Sequence, residues 1–334
     1  MKTATKLVFG GAAAVALGAA VARVRRELTP RDAVAPPPSA LARSRPPVAP
    51  ARFELPDDVV HHRLDTPDGG TIHAIERGSG RPLVLIHGIT LRSDVWAPQL
   101  RDLADRYRVI SVDLRGHGES RAGDAGYGID RLADDLATLL CELDLRGAVV
   151  VGHSMGGMTA MAFCGRHPDV LAERVAGLVF VATRAHRVLP PSVDRAARSL
   201  LARSHEAALE GERLPGAEQI NARGARLAFG EQPSPVAVGL VAEMGASMEP
   251  EALALSLAGL IEHDAREALR TTHTPSLVVV GTRDLLTPVP AASHLAHLLP
   301  DSELVVLPRA GHQLMQERPD ELAELIDGFA RRLP

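Results

Sequence analysis

Aromatic side chains are scarce in this chain: one Trp, two Tyr and six Phe among 334 residues. With 46% of residues hydrophobic, a sizeable core is still within reach, but it has to be assembled mainly from Ala, Leu and Val. Cysteine is scarcer still. Cys141 and Cys164 are the only two, too few for a disulfide-stapled scaffold. Both fall in stretches of helical spacing, so they read as buried free thiols and do not identify a compartment. No basic stripe marks a nucleic-acid surface, and the net charge is −4. That small figure conceals an asymmetry: residues 1–50 carry eight Lys/Arg against two Asp/Glu, and the remainder carries 29 against 39. A basic tail therefore precedes an acidic body, and acidity of that kind need only keep a protein soluble. There is no metal-ligand spacing. Gly116-His117-Gly118 lacks the third glycine and the strand–helix–strand context of a dinucleotide site. Neither a metal nor a cofactor is expected.

Residues 7–22 carry no charge, but they number only sixteen. At about 1.5 Å per residue they cover ~24 Å, short of the ~30 Å hydrocarbon core of a bilayer. Lys2 and Lys6 precede them and Arg23, Arg25 and Arg26 follow. Ala20-Val21-Ala22 fits a signal cleavage site, whereas the arginines just after it oppose translocation beyond that point. A soluble helix would show a polar face, which this run lacks. Residues 1–29 are therefore expected to be a membrane anchor or signal segment, making the protein membrane-associated or exported, with the side of the membrane open. Seven of the 21 residues in 30–50 are proline, so 30–52 reads as an extended Pro-rich linker. The folded domain is expected over 53–334.

Within it, Val59–Leu64 and Thr71–Glu76 flank a Thr66–Gly70 turn and read as a hairpin. Short apolar runs at Pro82–Ile86, Arg108–Asp113, Ala148–Val151, Gly177–Val181, Ser276–Val280 and Ser302–Leu307 read as buried strands. Helical spacing separates them in 130–143 and 154–166, and a last helix is expected over 319–333. This rhythm predicts an α/β architecture: a mostly parallel eight-stranded sheet with helices on both faces. Residues 184–272 hold no clear strand and read as helices broken by prolines, an all-helical lid or cap.

The chemistry is concentrated in Gly152-His153-Ser154-Met155-Gly156, a Gly-x-Ser-x-Gly directly after an apolar strand and before a helix. Such a turn strains the serine at its tip, and glycines on either side let strand and helix approach. The helix N-terminus behind the serine offers unpaired N–H groups to an oxyanion. With Leu85-Ile86-His87-Gly88-Ile89, with Asp113-Leu114-Arg115-Gly116-His117-Gly118-Glu119-Ser120, and with the Asp284 and His312 segments, this elbow resembles the α/β-hydrolase superfamily, serine esterase/lipase-like branch, from about Val59 to the C-terminus. The resemblance implies Ser154 as nucleophile, with the acid and the base late in the chain. Asp284 and His312 match those places, each in a loop directly after an apolar strand. His312 would take the Ser154 proton and Asp284 would orient His312. The implied oxyanion donors are the N–H groups of Ile89 and Met155. Asp113, Arg115 and His117 are implied to build a structural turn, and His87 and His153 to be structural neighbours of the site. Relatives with Asp at the nucleophile position cleave carbon–halogen or epoxide bonds, and Ser154 argues against both.

The expected function is carboxylic ester hydrolysis through an acyl-enzyme, on a small apolar substrate lodged beneath the cap. The same triad also serves C–C and thioester hydrolysis and cofactor-free peroxidase or perhydrolase chemistry. A binding module of the same fold without turnover is the reading from another class.

Overall fold

The structure, a computed structural model, describes residues 33, 34, 36, 48–186 and 225–334. The expected anchor, most of the expected linker and residues 187–224 of the expected cap lie outside the described residues. Among the described residues no helix is long and apolar enough to cross a membrane.

The described strands are β1 (Ala33–Val34), β2 (Val60–Asp65), β3 (Thr71–Arg77), β4 (Arg81–Ile86), β5 (Tyr107–Val112), β6 (Ala148–His153), β7 (Val175–Val181), β8 (Ser276–Gly281) and β9 (Ser302–Leu307). They form one sheet in the order β1-β9-β8-β7-β6-β4-β5-β3-β2. The β2–β3 hairpin is antiparallel and joins β5 antiparallel, and every other pairing is parallel. Eight of these strands are the expected ones. The ninth, β1, corrects the reading of the Pro-rich stretch as spacer throughout. Ala33 and Val34 pair with Leu304 and Val305 of β9. Without them β9 would end the sheet with a row of unpaired backbone groups, and two extended residues suffice to pair some of them.

The helices are α1 (Ala97–Leu103), α2 (Ile129–Glu142), α3 (Met155–Arg166), α4 (Pro168–Arg174), α5 (Pro235–Ser247), α6 (Pro250–Glu262), α7 (Arg266–Arg270), α8 (Val289–Leu298), α9 (Leu314–Glu317) and α10 (Pro319–Ala330). Alternation along the central strands divides the core in two. Val149 and Val151 of β6, with Leu277 and Val279 of β8, face one layer beside Trp96, Leu100, Ile326 and Phe329 of the α1/α10 side. Val150 of β6, with Val278 and Val280 of β8, faces the other, beside Leu132, Leu136, Met161 and Phe163 of α2 and α3. A strand buried on both faces has no position for a polar residue, which is why these segments are continuous apolar runs. Full burial of each such side chain contributes roughly 1.5–3 kcal/mol.

One expectation about cysteine fails. Cys164 is buried, and burial pushes its thiol up to about 12, but Cys141 is exposed. On α2, Leu139 and Leu140 turn to the sheet and the next residue, Cys141, falls on the outer face.

Candidate active site

Strand β6 lies between β4 and β7 near the middle of the sheet, with β8 and β9 beyond β7. The loops leaving the C-terminal ends of these strands therefore meet along one edge, where such sheets bind ligands. Ser154 follows β6 and stands at φ 51°, ψ −113°, a left-handed conformation that a side chain rarely adopts. Neighbours hold it there. Its N–H donates to Val181 O at 3.0 Å, and its carbonyl accepts the Thr183 hydroxyl at 2.7 Å. The flanking glycines are required by fit: a Cβ on Gly152 would stand 2.5 Å from Gly156 O, and one on Gly156 would stand 2.4 Å from Ile86 O.

The loops after β8 and β9 carry Asp284 and His312. Arg283 N–H donates to Ala310 O at 2.8 Å and Thr282 N–H to Leu307 O at 2.9 Å, so the two loops are locked together. Asp284 Oδ2 lies 2.9 Å from His312 Nδ1, and both side chains are buried. The same carboxylate is saturated on its other sides. Oδ1 accepts the N–H of Leu286 and of Thr287, each at 2.8 Å, and Oδ2 accepts the Thr287 hydroxyl at 2.7 Å. With Asp284 accepting only, His312 Nδ1 carries the proton and Nε2 presents a lone pair.

His312 is further held from behind. Its N–H donates to Ala228 O at 2.7 Å. The His153 ring packs 4.7 Å from its ring, and His153 Nε2–H donates to the His312 carbonyl at 3.0 Å. Burial lowers the His153 pKa well below its usual value, so it stays neutral and structural, as read. Because His153 and Ser154 are adjacent, this packing brings the loops of Ser154 and His312 together. The Gly88 loop completes the enclosure: a Cβ on Gly88 would stand 3.0 Å from Ser154 Cβ. Thr90 N–H donates to His117 Nε2 at 3.3 Å. Among the described residues, the N–H groups of Ile89 and Met155 find no backbone acceptor.

The turn segment 113–120 is structural, as expected. Asp113 accepts Ser93 N–H at 2.6 Å and Glu119 N–H at 3.0 Å. Arg115 is buried between Asp135, at 2.7 Å through two nitrogens, and Asp68, at 2.8 Å. His117 is neutral, its pKa lowered to about 3 by burial. Arg283, beside Asp284, is half-exposed and paired with Glu231 at 2.6 Å.

Two supporting residues escaped the sequence reading. Thr287 braces Asp284. Glu317, from α9, accepts Gly230 N–H at 2.8 Å and Gly311 N–H at 3.0 Å, so one carboxylate ties residue 230 to the loop that carries His312. Burial pushes its carboxyl up to about 7 against those two donors. Nothing in the pattern around Glu317 distinguishes it from a surface glutamate on a short helix.

A family model described as the alpha/beta hydrolase fold matches residues 81–319. The chain is 31% identical over 262 residues to the 2-(acetamidomethylene)succinate hydrolase of Mesorhizobium japonicum, covering 78% of this chain and 91% of that protein. It is 34% identical over 242 residues to the pimeloyl-[acyl-carrier protein] methyl ester esterase of Chromobacterium violaceum, covering 70% of this chain and 88% of that protein. Among solved structures, a thermophilic esterase from Thermogutta terrifontis superposes with a TM-score of 0.71 at 29% identity, covering 82% of this chain and 98% of that one.

Proposed function

The chain belongs to the α/β-hydrolase fold family, and from that premise we propose that it hydrolyses carboxylic esters through an acyl-enzyme on Ser154. The observation that carries this reading is the strained Ser154, φ 51°, on the same sheet edge as an Asp284–His312 pair whose proton sits on Nδ1. His312 Nε2 is then free to take the Ser154 proton as the hydroxyl attacks the ester carbonyl. The N–H groups of Ile89 and Met155 would receive the oxyanion. His312 returns the proton to the leaving alcohol, then activates the water that releases the acid.

The helices after residue 230 would serve as part of the cap. Val241 and Met244 of α5 pack into the core layer that also holds Leu91 and Val95, beyond the Gly88 loop. On α6, Ala252 stands against Gly116. Closed over Ser154, these apolar helices would favour small apolar esters over charged ones. The uncharged 7–22 and the linker behind it would tether this body to a membrane or direct its export. Fusions of residues 1–52 to reporters active on only one side of the membrane test this, and an active cytoplasmic reporter with a silent exported one refutes export.

Full-length protein and its Ser154→Ala variant, assayed on p-nitrophenyl esters of graded acyl length and labelled with a fluorophosphonate, test the activity. Turnover and labelling in the parent, both lost in the variant, are expected. A folded parent with neither signal refutes the reading, and labelling without turnover moves it to thioester or C–C substrates.

A further inference from the structure

We propose that His61, His73 and Glu119 form a binding site for one divalent transition-metal ion of the zinc class, on the antiparallel hairpin and independent of Ser154. His61 on β2 pairs with Ile75 on β3, which makes His73 its diagonal neighbour on the same face of the hairpin. The rings stand 5.2 Å apart between centroids, and His61 Nδ1 lies 2.9 Å from His73 Nε2. Glu119 belongs to the turn segment after β5, and its Oε1 lies 4.0 Å from His73 Nε2. The three donor atoms all fall within 4.8 Å of one another.

The buried member of the set is already oriented as a ligand. His73 Nδ1 lies 2.7 Å from Asp113 Oδ2. Asp113 also accepts backbone N–H groups from Ser93 and Glu119, so it is held as a pure acceptor. His73 Nδ1 therefore donates to it and Nε2 is turned outward. A carboxylate behind the far nitrogen of a histidine is the arrangement that fixes tautomer and ring angle in metal centres. In the metal-free protein a single proton must sit between His61 Nδ1 and His73 Nε2. A cation replaces that proton and satisfies both nitrogens.

The geometry requires only small movements. Tetrahedral bonds of about 2.0–2.1 Å place ligand atoms roughly 3.3 Å apart. His73 is fixed, whereas His61 is exposed and the Glu119 side chain is 69% exposed, so both can shift by about an ångström. The backbone of Glu119 is anchored on Asp113, so its carboxylate does not have to be recruited from a distance. Two imidazoles and one carboxylate, with water in the fourth place, suit zinc or cobalt. Magnesium and calcium take oxygen ligands and do not fit. Occupation would cross-link β2 and β3 to the segment 113–120, which also contacts the Gly88 loop through the Thr90–His117 bond.

The test uses full-length protein carrying no histidine tag, cleared of metal by chelator dialysis. Cobalt binding is followed by its visible absorption and zinc binding by calorimetry. One equivalent of each is expected, with zinc displacing cobalt. His61→Ala and Glu119→Gln, both at exposed side chains, should each weaken binding by more than about tenfold, since loss of a partner behind a ligand already costs that much, while the metal-free thermal midpoint stays at the parent value. No binding to the parent, or affinity unchanged in either variant, overturns the site.

Discussion

Asp284→Asn separates the role of this carboxylate from mere packing, because the structure dictates how the asparagine must sit. Oδ1 of Asp284 accepts two backbone N–H groups, from Leu286 and Thr287, both at 2.8 Å. Oδ2 faces His312 Nδ1 at 2.9 Å and accepts the Thr287 hydroxyl at 2.7 Å. Asparagine has one acceptor oxygen and one NH2. Turning the NH2 toward the two backbone donors would leave buried groups unpaired, at about 1–3 kcal/mol each. The oxygen therefore takes the Oδ1 position and the NH2 points at His312 Nδ1. That nitrogen can then only accept, so the imidazole proton moves to Nε2. The histidine keeps its place and loses the lone pair with which it would take the Ser154 proton. The expected loss in kcat is about 10⁴-fold, or about 5 kcal/mol of barrier. KM should change little, and the thermal midpoint should fall only modestly, since both backbone N–H groups keep their acceptor while the Thr287 hydroxyl loses Oδ2 and must turn to accept from the NH2. The assay is p-nitrophenyl ester turnover at saturating substrate, with fluorophosphonate labelling rates alongside. A folded Asp284→Asn protein that keeps a tenth of the parent kcat refutes the argument.

Two further predictions concern the surroundings of His312 and Ser154. Glu317, with its carboxyl raised from 4.5 to about 7, is ionised at a cost above that value; because the folded state binds the extra proton, stability should rise as pH falls from about 7 toward 4.5, by at most about 3 kcal/mol. Urea unfolding at pH 5 and pH 8 should show that Glu317→Gln flattens this dependence, and a parent-like slope in the variant would refute it. Gly88→Ala would set a Cβ 2.9 Å from His153 Nδ1 and 3.0 Å from Ser154 Cβ. Overpacking of this kind costs about 1–3 kcal/mol. It should lower kcat more than tenfold, and an alanine variant with parent activity would show that the Gly88 loop does not bear on Ser154.

The order of strands and helices was legible because each is written locally. Two-sided burial turns β6 and β8 into apolar runs, and a strand-to-helix reversal around Ser154 demands Gly152 and Gly156 by fit. The resemblance to the α/β-hydrolases implied an acid and a base late in the chain, and Asp284 and His312 matched those places because each follows such a run. Where the reading failed, the cause was a contact between distant segments. β1 exists because β9 offers it an open edge, which nothing in a proline-rich stretch announces. Cys141, by contrast, could have been placed outside from its position on α2.

By itself the sequence determined the α/β class, the sheet's apolar strands and the elbow around Ser154, since period and turn chemistry are properties of neighbouring residues, and its resemblance to the α/β-hydrolases marked Asp284 and His312 as candidates. Only the tertiary structure decided which partners those residues meet. The proton of His312 is assigned by a carboxylate 28 positions away, Glu317 acquires its raised pKa from burial that outweighs the N–H groups of residues 230 and 311 it closes over, and His61 and His73 become neighbours through cross-strand register. Hydrogen bonds and burial of that kind are made between elements that only folding brings together, and no local pattern encodes them.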